Sequence, residues 1–211
     1  MVNATPPARR RSRQADFLEV AAELFAERGY AGTSTDDLGA RLGVSGPAVY
    51  WHFASKEAML TQMLTDISDR LYAGGTRCVS ETSDPGRALH ELVAWQVGFA
   101  LDHPELITVH ARDLAHVPEP ARQRIRRTQR LYVEQWVDTL GSIAPKVDAT
   151  VRRAATHAAI GLINSTPFLG RELDRSALAN LLEQMALAGL YRAIGLPTPE
   201  ASSGVLDGGP R

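Results

Sequence analysis

One stretch in the first quarter of the chain constrains the fold more than any other, because two short helical patterns flank a tight turn there. Ser34 and Asp37 have the spacing of a capping box at the start of a helix over Thr35–Leu42, although Glu or Gln is commoner than Asp at the second position of the box. Gly43 can adopt the left-handed conformation that ends a helix, and a second helix is predicted over Gly46–Phe53. Two helices at this spacing form a helix-turn-helix, whose second helix enters the major groove of DNA.

The helix that precedes this motif supplies the rest of a small core. From Asp16 onward apolar residues recur at steps of three and four, and Gly29 ends the pattern. Burial of Leu38 and Val49 against that helix would turn one side of the second helix outward. The residues predicted to face outward are Gly46, Ala48, Tyr50, Trp51 and His52. Exposing Tyr, Trp and His together is costly unless something binds there.

The predicted DNA contacts are of two kinds. Base contacts are expected from Ser45, Gly46, Pro47, Ala48 and Tyr50, and backbone contacts from Thr35, Tyr50, Trp51, His52 and Lys56. The second helix has no Arg or Lys, so the bidentate contact between Arg and guanine is absent there. In the alternative interpretation, Trp51 packs under the fourth helix, while His52 and Lys56 are ordinary surface residues.

Helical periodicity covers the rest of the chain and no β pattern occurs, which predicts an all-α fold. A fourth helix is expected from Lys56 to about Leu71, followed by a loop or broken helix over Gly74–Gly86, where Gly, Ser and Pro concentrate. The remaining helices are predicted at Arg87–Leu101, Pro104–Leu114, Glu119–Ser142, Val147–Ser165 and Ser176–Ile194.

These elements divide the chain into four predicted segments. They are a flexible basic arm at 1–13, a helix-turn-helix DNA-binding domain at 14–60, a larger helical ligand-binding and dimerisation domain at 61–196, and a disordered tail at 197–211. The arm carries Arg9, Arg10, Arg11 and Arg13. It is either a solvated tail or a segment that touches phosphates or enters a minor groove.

Composition narrows the classes of function. The net charge of −1 gives no general attraction to polyanions, so DNA binding must rest on local charge and geometry. The single cysteine, Cys78, excludes an intramolecular disulfide and fits a reducing cytoplasm. His103, His110 and His116 lack metal-ligand spacing and no catalytic motif occurs, so we predict no enzyme, metal or cofactor. No apolar stretch is long enough for a bilayer, so we predict no membrane partner.

Residues 29–60 resemble the tetracycline-repressor (TetR) family, whose motif runs from a Gly-aromatic pair through a Thr-rich helix start to Gly-Val-Ser and Tyr-x-His-Phe-x-x-Lys. The matching residues are Gly29, Tyr30, Thr33, Ser34, Thr35, Gly43, Val44, Ser45, Tyr50, His52, Phe53 and Lys56. Gly39 departs from the Ala usual in the family, which predicts a local helix less stable by about 1 kcal/mol.

The resemblance implies a repressor that binds double-stranded operator DNA as a homodimer and is released by a small-molecule effector. It implies dimerisation through Val147–Ser165 and Ser176–Ile194, and the broad apolar stripe of the last helix supports this independently. A two-fold dimer sets its recognition helices about 34 Å apart, so the operator should be near-palindromic.

Candidate ligand contacts lie in the larger domain, because ligand sites are mostly apolar with a few placed polar groups. They are Trp95, Phe99, His110, Tyr132, Trp136, Asn164 and Phe168, most of which also fit a plain core. Asn164 follows an apolar run, where a buried amide must find partners. The segment Gly161–Pro167 resembles a subset of the family associated with lipid and acyl-coenzyme A catabolism, which implies an effector of that type.

A second basic cluster consists of Arg122, Arg124, Arg126, Arg127 and Arg130. One interpretation is a solvated helix face, and the other is a site for the phosphates of an acyl-coenzyme A effector. At the level of the whole chain two functions also remain open. The first is the ligand-responsive repressor, and the second is a helical ligand-binding or scaffolding protein with a vestigial helix-turn-helix. The near-neutral net charge and the absence of Arg from the recognition helix favour the second.

Overall fold

The computed structural model describes residues 7–169 and 172–198, with side chains from Arg13 onward. Within these ranges the chain forms α1 (Pro7–Arg28), α2 (Thr35–Leu42), α3 (Gly46–Val49), α4 (Lys56–Ser80), α5 (Pro85–Asp102), α6 (Pro104–Asp113), α7 (Glu119–Ile143), α8 (Ala149–Ile163) and α9 (Arg175–Ala193). Short 3₁₀ turns follow α6 at Leu114–His116 and α8 at Thr166–Phe168. The described ranges contain no β-strand, and the all-α prediction is confirmed. None of their helices is long and apolar enough to cross a membrane.

Two hydrophobic cores lie along α4. The first joins α1, α2, α3 and the start of α4 to Phe99 of α5, Val109 of α6 and Ile125 of α7. The second lies among α5, α7, α8 and α9. Leu71 of α4 and Ile107 of α6 pack against both cores. The helix-turn-helix unit is therefore continuous with the larger helical domain, and the boundary proposed at residues 60 and 61 falls inside α4.

The loop predicted over Gly74–Gly86 is present but shorter, at residues 81–84, because α4 runs through Gly74 and Gly75 to Ser80 and α5 begins at Pro85. A Cβ at Gly74 would overlap the Trp95 indole of α5, and one at Gly75 would lie 2.8 Å from the Tyr132 ring of α7. The two glycines mark the place where α4 packs closest to its neighbours. In sequence, a glycine that allows close packing of a continuous helix looks the same as a glycine that breaks a helix.

Helix α1 begins at Pro7 rather than near Asp16, so the second half of the predicted arm is helical. Its first turns consist of Ala, Arg, Ser and Gln after a proline, which suits the first turn of a helix. Ala, Arg and Gln favour helix without an apolar face, so periodicity does not reveal them. Residues 1–6 of the arm and residues 199–211 of the predicted tail lie outside the described part of the chain.

Candidate DNA-recognition surface and ligand cavity

The start of α2 is fixed by the predicted capping box. The Ser34 amide donates to the Asp37 carboxylate at 2.8 Å, and the Asp37 amide donates to the Ser34 hydroxyl at 3.1 Å. The Ser34 hydroxyl and amide hold the pKa of the Asp37 carboxyl below its ordinary value. Arg28 at the end of α1 also contacts Asp37, with nitrogen and oxygen 3.1 Å apart. Helix α2 is thus held in a set direction relative to α1.

The turn between α2 and α3 approaches the backbone of α2 more closely than the sequence suggested. Gly43 has φ 68°, the left-handed conformation predicted for it. A Cβ at Gly39 would lie 2.7 Å from the Val44 carbonyl oxygen and 2.9 Å from the Gly46 amide nitrogen. Gly39 is therefore required by the close approach of the turn, and the predicted cost to the local stability of α2 is accompanied by a packing role that the sequence did not reveal.

Helix α3 itself is shorter than the predicted Gly46–Phe53 and ends at Val49. Beyond it the chain tightens, with the Tyr50 and Trp51 amides donating to the Pro47 and Ala48 carbonyls at 3.2 Å each. Tyr50 and Trp51 are 51% and 79% exposed. The Trp51 ring is therefore not packed under α4, contrary to the alternative interpretation. Thr35, Ser45, Pro47 and Ala48 are exposed or half-buried on the same unit.

Two of the predicted contact residues face the protein instead of solvent. Gly46 is buried, and a Cβ there would overlap the Asp36 carboxylate of α2, so it has no surface to present to a base. His52 is half-buried, with its ring 4.7 Å from the Phe17 ring, and its carbonyl accepts from the Gln14 side chain at 3.0 Å. Both residues set the position of α3 against its neighbours.

Lys56 is also turned inward. Its ammonium donates to the Tyr30 and Thr33 carbonyls at 2.7 Å each and lies 4.3 Å from the centre of the Tyr30 ring. A lysine that satisfies two backbone carbonyls and an aromatic face is not a free phosphate ligand. It ties the start of α4 to the loop between α1 and α2.

A cavity of about 650 Å³ lies in the larger domain between α4, α5, α6, α7 and α8. Its apolar walls include Ile67, Leu71, Leu106, Ile107, Val133 and Ile160. Five of the seven predicted ligand contacts line it, namely Phe99, His110, Tyr132, Asn164 and Phe168. Phe168 is 84% exposed. The structure thus brings most of the predicted residues together around one space.

Trp95 and Trp136 do not line this cavity. The Trp95 indole packs over Gly74 and donates to the Leu71 carbonyl at 3.3 Å. Trp136 is fully buried in the second core. Periodicity places a residue on an inward helix face, but it does not tell a cavity wall from a filled core.

Polar side chains form two groups on the cavity wall. Tyr132 donates to Gln96 Oε1 at 2.9 Å, and Gln96 Nε2 donates to Asn164 Oδ1 at 2.9 Å. His110 contacts Gln129 through its Nε2 atom, and burial lowers the pKa of the His110 imidazole. Sequence reasoning missed Gln96 and Gln129. A lone amide inside the apolar run of α5 is the same signal that singled out Asn164, and it would have found Gln96.

Arg112 lies at the junction between the cavity and the DNA-binding helices. It lines the cavity, and its guanidinium donates to the carbonyls of Phe25 and of Ala26, the latter at 3.3 Å, at the end of α1. The same guanidinium pairs with Asp113, which is buried, at 3.1 Å. Neither Arg112 nor Asp113 was among the candidate ligand contacts predicted from the sequence. Their contact with α1 depends on long-range packing and leaves no local signal.

The basic cluster on α7 contains two arginines that form ion pairs and three that are exposed along a groove. Arg122 pairs with Glu119, and Arg124 pairs with Asp69 of α4 at 2.9 Å. Arg126, Arg127 and Arg130 are exposed and line a shallow groove on α7. This groove shares no lining residue with the cavity. The phosphate-binding interpretation therefore receives no support from a contact with the cavity.

Comparisons with known proteins agree with this architecture. A family model described as bacterial regulatory proteins of the tetR family matches residues 17–63. The transcriptional repressor KstR2 of Mycobacterium tuberculosis is 33% identical over 132 residues, which cover 61% of this chain and 65% of that repressor, just under two thirds of its length.

Solved structures extend the likeness beyond the DNA-binding unit. The ketosteroid transcriptional regulator KstR2 of Mycobacterium tuberculosis has a TM-score of 0.73 at 25% identity, over 95% of this chain and 98% of that one. A TetR-family regulator from Bordetella parapertussis has a TM-score of 0.75 at 26% identity, over 82% of this chain and 93% of that one. Residues 17–63, which form the capped helix-turn-helix unit, thus match the tetR family of bacterial regulatory proteins, and the chain as a whole is similar in fold to TetR-family regulators.

Proposed function

We propose that this protein is a ligand-responsive transcriptional repressor that binds operator DNA as a homodimer. The observation that carries the proposal is the rigidly capped helix-turn-helix with Tyr50 and Trp51 exposed at the end of α3. Two neighbouring aromatic rings in water are unfavourable unless a partner covers them. The similar KstR2 proteins are transcriptional repressors, which supports repression rather than activation. Access to the chromosome would place the protein in the cytoplasm.

The DNA-contacting set is smaller than the sequence suggested. We assign base contacts to Ser45, Pro47, Ala48 and Tyr50, and backbone contacts to Thr35, Tyr50 and Trp51. The Ser45 hydroxyl makes no capping bond to α3, so it is available to a base or a phosphate. Gly46, His52 and Lys56 position these residues through contacts within the protein.

Homodimerisation accounts for apolar side chains on the outside of α8 and α9. Val151, Leu181 and Met185 are between 43% and 49% exposed, and the small residues Ala154, Ala158 and Ala188 lie on the same two helices. The two helices pack against each other, so their outer faces are adjacent. A second copy could cover both faces in an antiparallel four-helix arrangement and fix the separation of the two recognition units.

Effector binding in the cavity would reach the DNA-binding unit through α6. Arg112 on this helix holds the last carbonyls of α1, and Val109 belongs to the core that contains α1. A ligand that displaces α6 or competes for the guanidinium would release the end of α1. The separation of the two recognition helices would then no longer match the operator.

The first test is DNA binding itself. Fluorescence anisotropy with duplexes from the region flanking the protein's own gene should show tight binding that weakens steeply with added salt. Tyr50→Phe removes only the hydroxyl, which we assign to the backbone contact, so it should weaken binding to all sequences alike, whereas Ala48→Ser should alter base preference. Absence of binding at low salt would defeat the repressor and favour a ligand-binding protein with a vestigial helix-turn-helix.

A further inference from the structure

Tyr132 begins a directional chain of hydrogen-bonding groups that ends in the cavity. Its ring is buried and lies edge-on to the ring of Trp136, with centroids 6.1 Å apart. The indole N–H of Trp136 is buried without a hydrogen-bond acceptor among the described residues, so it is not a member of this chain. The first donor is the Tyr132 hydroxyl.

The remaining polarity follows from that first donor. The Tyr132 hydroxyl donates to Gln96 Oε1 at 2.9 Å, which directs Gln96 Nε2 to the other side of the amide. Gln96 Nε2 then donates to Asn164 Oδ1 at 2.9 Å. Gln96 is 2% exposed, so reversing the Asn164 amide would leave two N–H groups facing each other where Gln96 is buried. This chain of hydrogen bonds therefore fixes the orientation of the Asn164 amide, whose oxygen already accepts from Gln96.

The chain of hydrogen bonds ends at the cavity with the two N–H donors of the Asn164 amide. Asn164 lines the cavity, and its Nδ2 has no acceptor among the described residues. The described lining includes no Asp or Glu, and its one guanidinium is that of Arg112. A cation in this space would therefore meet a donor and a positive charge, without any carboxylate to pair with.

We propose that the effector is an apolar molecule with a carbonyl oxygen, and that Asn164 Nδ2 binds this oxygen in an orientation set by Tyr132 and Gln96. The role as effector rests on the proposed function, whereas the binding site itself does not. The carbonyl can belong to a ketone, an ester or a thioester, because all three present the same acceptor. Tyr132 and Gln96 are positioning residues that decide which end of the Asn164 amide meets the ligand.

The test uses the full-length protein without DNA and three probes with the same apolar ring, cyclododecanone, cyclododecanol and cyclododecylamine. Calorimetry should show the ketone binding at least tenfold more tightly than the amine. Asn164→Leu should weaken ketone binding by about 3- to 10-fold, the value of one hydrogen bond. The infrared carbonyl stretch of the bound ketone should lie at lower frequency in the wild type than in Asn164→Leu. An unchanged affinity and an unchanged stretch would overturn the proposal, as would tighter binding of the amine by the wild type.

Two near-isosteric variants test the polarity itself and guard against misfolding of Asn164→Leu. Asn164→Asp replaces donors with acceptors, so it should bind the amine more tightly than the ketone. Tyr132→Phe removes the donor that orients Gln96, so the preference for the ketone over the amine should narrow. If Tyr132→Phe keeps the full preference, the orienting chain is refuted. If the ketone binds with the expected signature but does not release operator DNA, the site stands and the effector role fails.

Discussion

Lys56 lies where the helix-turn-helix meets the start of α4 and ties the two together. Its ammonium donates to the Tyr30 and Thr33 carbonyls and lies over the Tyr30 ring in a cation–π contact. Thr33 is itself buried, with its hydroxyl donating to the Leu24 and Gly29 carbonyls at 3.3 and 2.9 Å. Residues that a motif presents as DNA contacts thus include some whose hydrogen bonds are already made within the protein.

The first prediction concerns the stability contributed by Lys56. Lys56→Met keeps the aliphatic stem but leaves two part-buried carbonyls without a donor, so the free energy of unfolding should fall by about 1–3 kcal/mol. The matched control is Lys146→Met, because Lys146 is exposed between α7 and α8, and its free energy of unfolding should stay within about 0.5 kcal/mol of the wild type. Urea denaturation measures both. Equal stability of the two variants would mean that Lys56 is a free surface lysine.

The second prediction concerns His110 and pH. Burial lowers the pKa of His110, so the unfolded chain binds a proton at a higher pH than the folded protein does. The free energy of unfolding should therefore fall as pH drops below about 6.5, until the lower pKa of the folded state is reached. His110→Gln should make this decline shallower in denaturation curves recorded between about pH 7.5 and about pH 5. Parallel declines in both proteins would show that the folded state protonates His110 freely.

At the scale of elements, glycines decide where helices meet. Gly74 and Gly75 allow α4 to approach α5 and α7, and Gly39 allows α2 to approach the turn that leads to α3. In each place the pattern of the helix continues through the glycine. Each of these glycines therefore marks a place where a neighbouring element packs too closely for a side chain.

The third prediction compares two helical glycines. Gly74→Ala should lower the free energy of unfolding by about 1–3 kcal/mol, because the new Cβ would overlap the Trp95 ring. Gly98→Ala on α5, where a Cβ would meet nothing within 4 Å, should instead raise it by about 0.5–1 kcal/mol through helix propensity. Thermal unfolding of the two variants separates packing from propensity. A gain in stability at Gly74 would show that α4 can move away from α5 without cost.

At the scale of the whole molecule, the proposed dimer and the link from cavity to α1 both depend on how the helices are arranged. Helices α8 and α9 belong to the second core, and their outer faces lie on the far side of it. Helix α6 packs on α1 instead. The proposed dimer contacts and the proposed DNA contacts thus fall in different parts of the molecule, and α4 and α6 connect them.

The fourth prediction tests the dimer face. Leu181→Glu should give monomers in sedimentation velocity and weaken operator binding by at least about tenfold, because the two-fold axis brings two new charges into one interface. The control is Leu131→Glu on α7, a leucine of similar exposure at 41% against 43%, which should remain dimeric. A dimeric Leu181→Glu protein would place the interface elsewhere.

The fifth prediction tests the link through Arg112. Arg112→Lys keeps a positive charge beside Asp113 but cannot reach both α1 carbonyls with a planar guanidinium. We expect the effector to change operator affinity by a smaller factor than in the wild type, and operator DNA to change effector affinity by the same smaller factor. Arg87→Lys, at an exposed position on α5, serves as the control. An unchanged factor would show that the coupling does not pass through Arg112.

The sequence by itself determined the local features of this protein. Capping by Ser34, the left-handed Gly43 and the starts and ends of most helices follow from short-range geometry, and so does the exposure of Tyr50 and Trp51. These depend on residues within one or two turns of each other. Phe99, His110, Tyr132, Asn164 and Phe168 were chosen by residue type, as apolar or aromatic side chains with a few polar groups, and all five line the cavity.

Only the tertiary structure decided what each inward or polar residue meets. It turned Lys56 and His52 towards the protein, separated Trp95 and Trp136 from the cavity wall, and set Arg112 against the end of α1. Each of these contacts joins residues more than 20 positions apart, as in the 86-residue separation of Arg112 and Ala26. Helical periodicity gives the direction of a side chain on its own helix, but the partner it meets depends on how the helices pack.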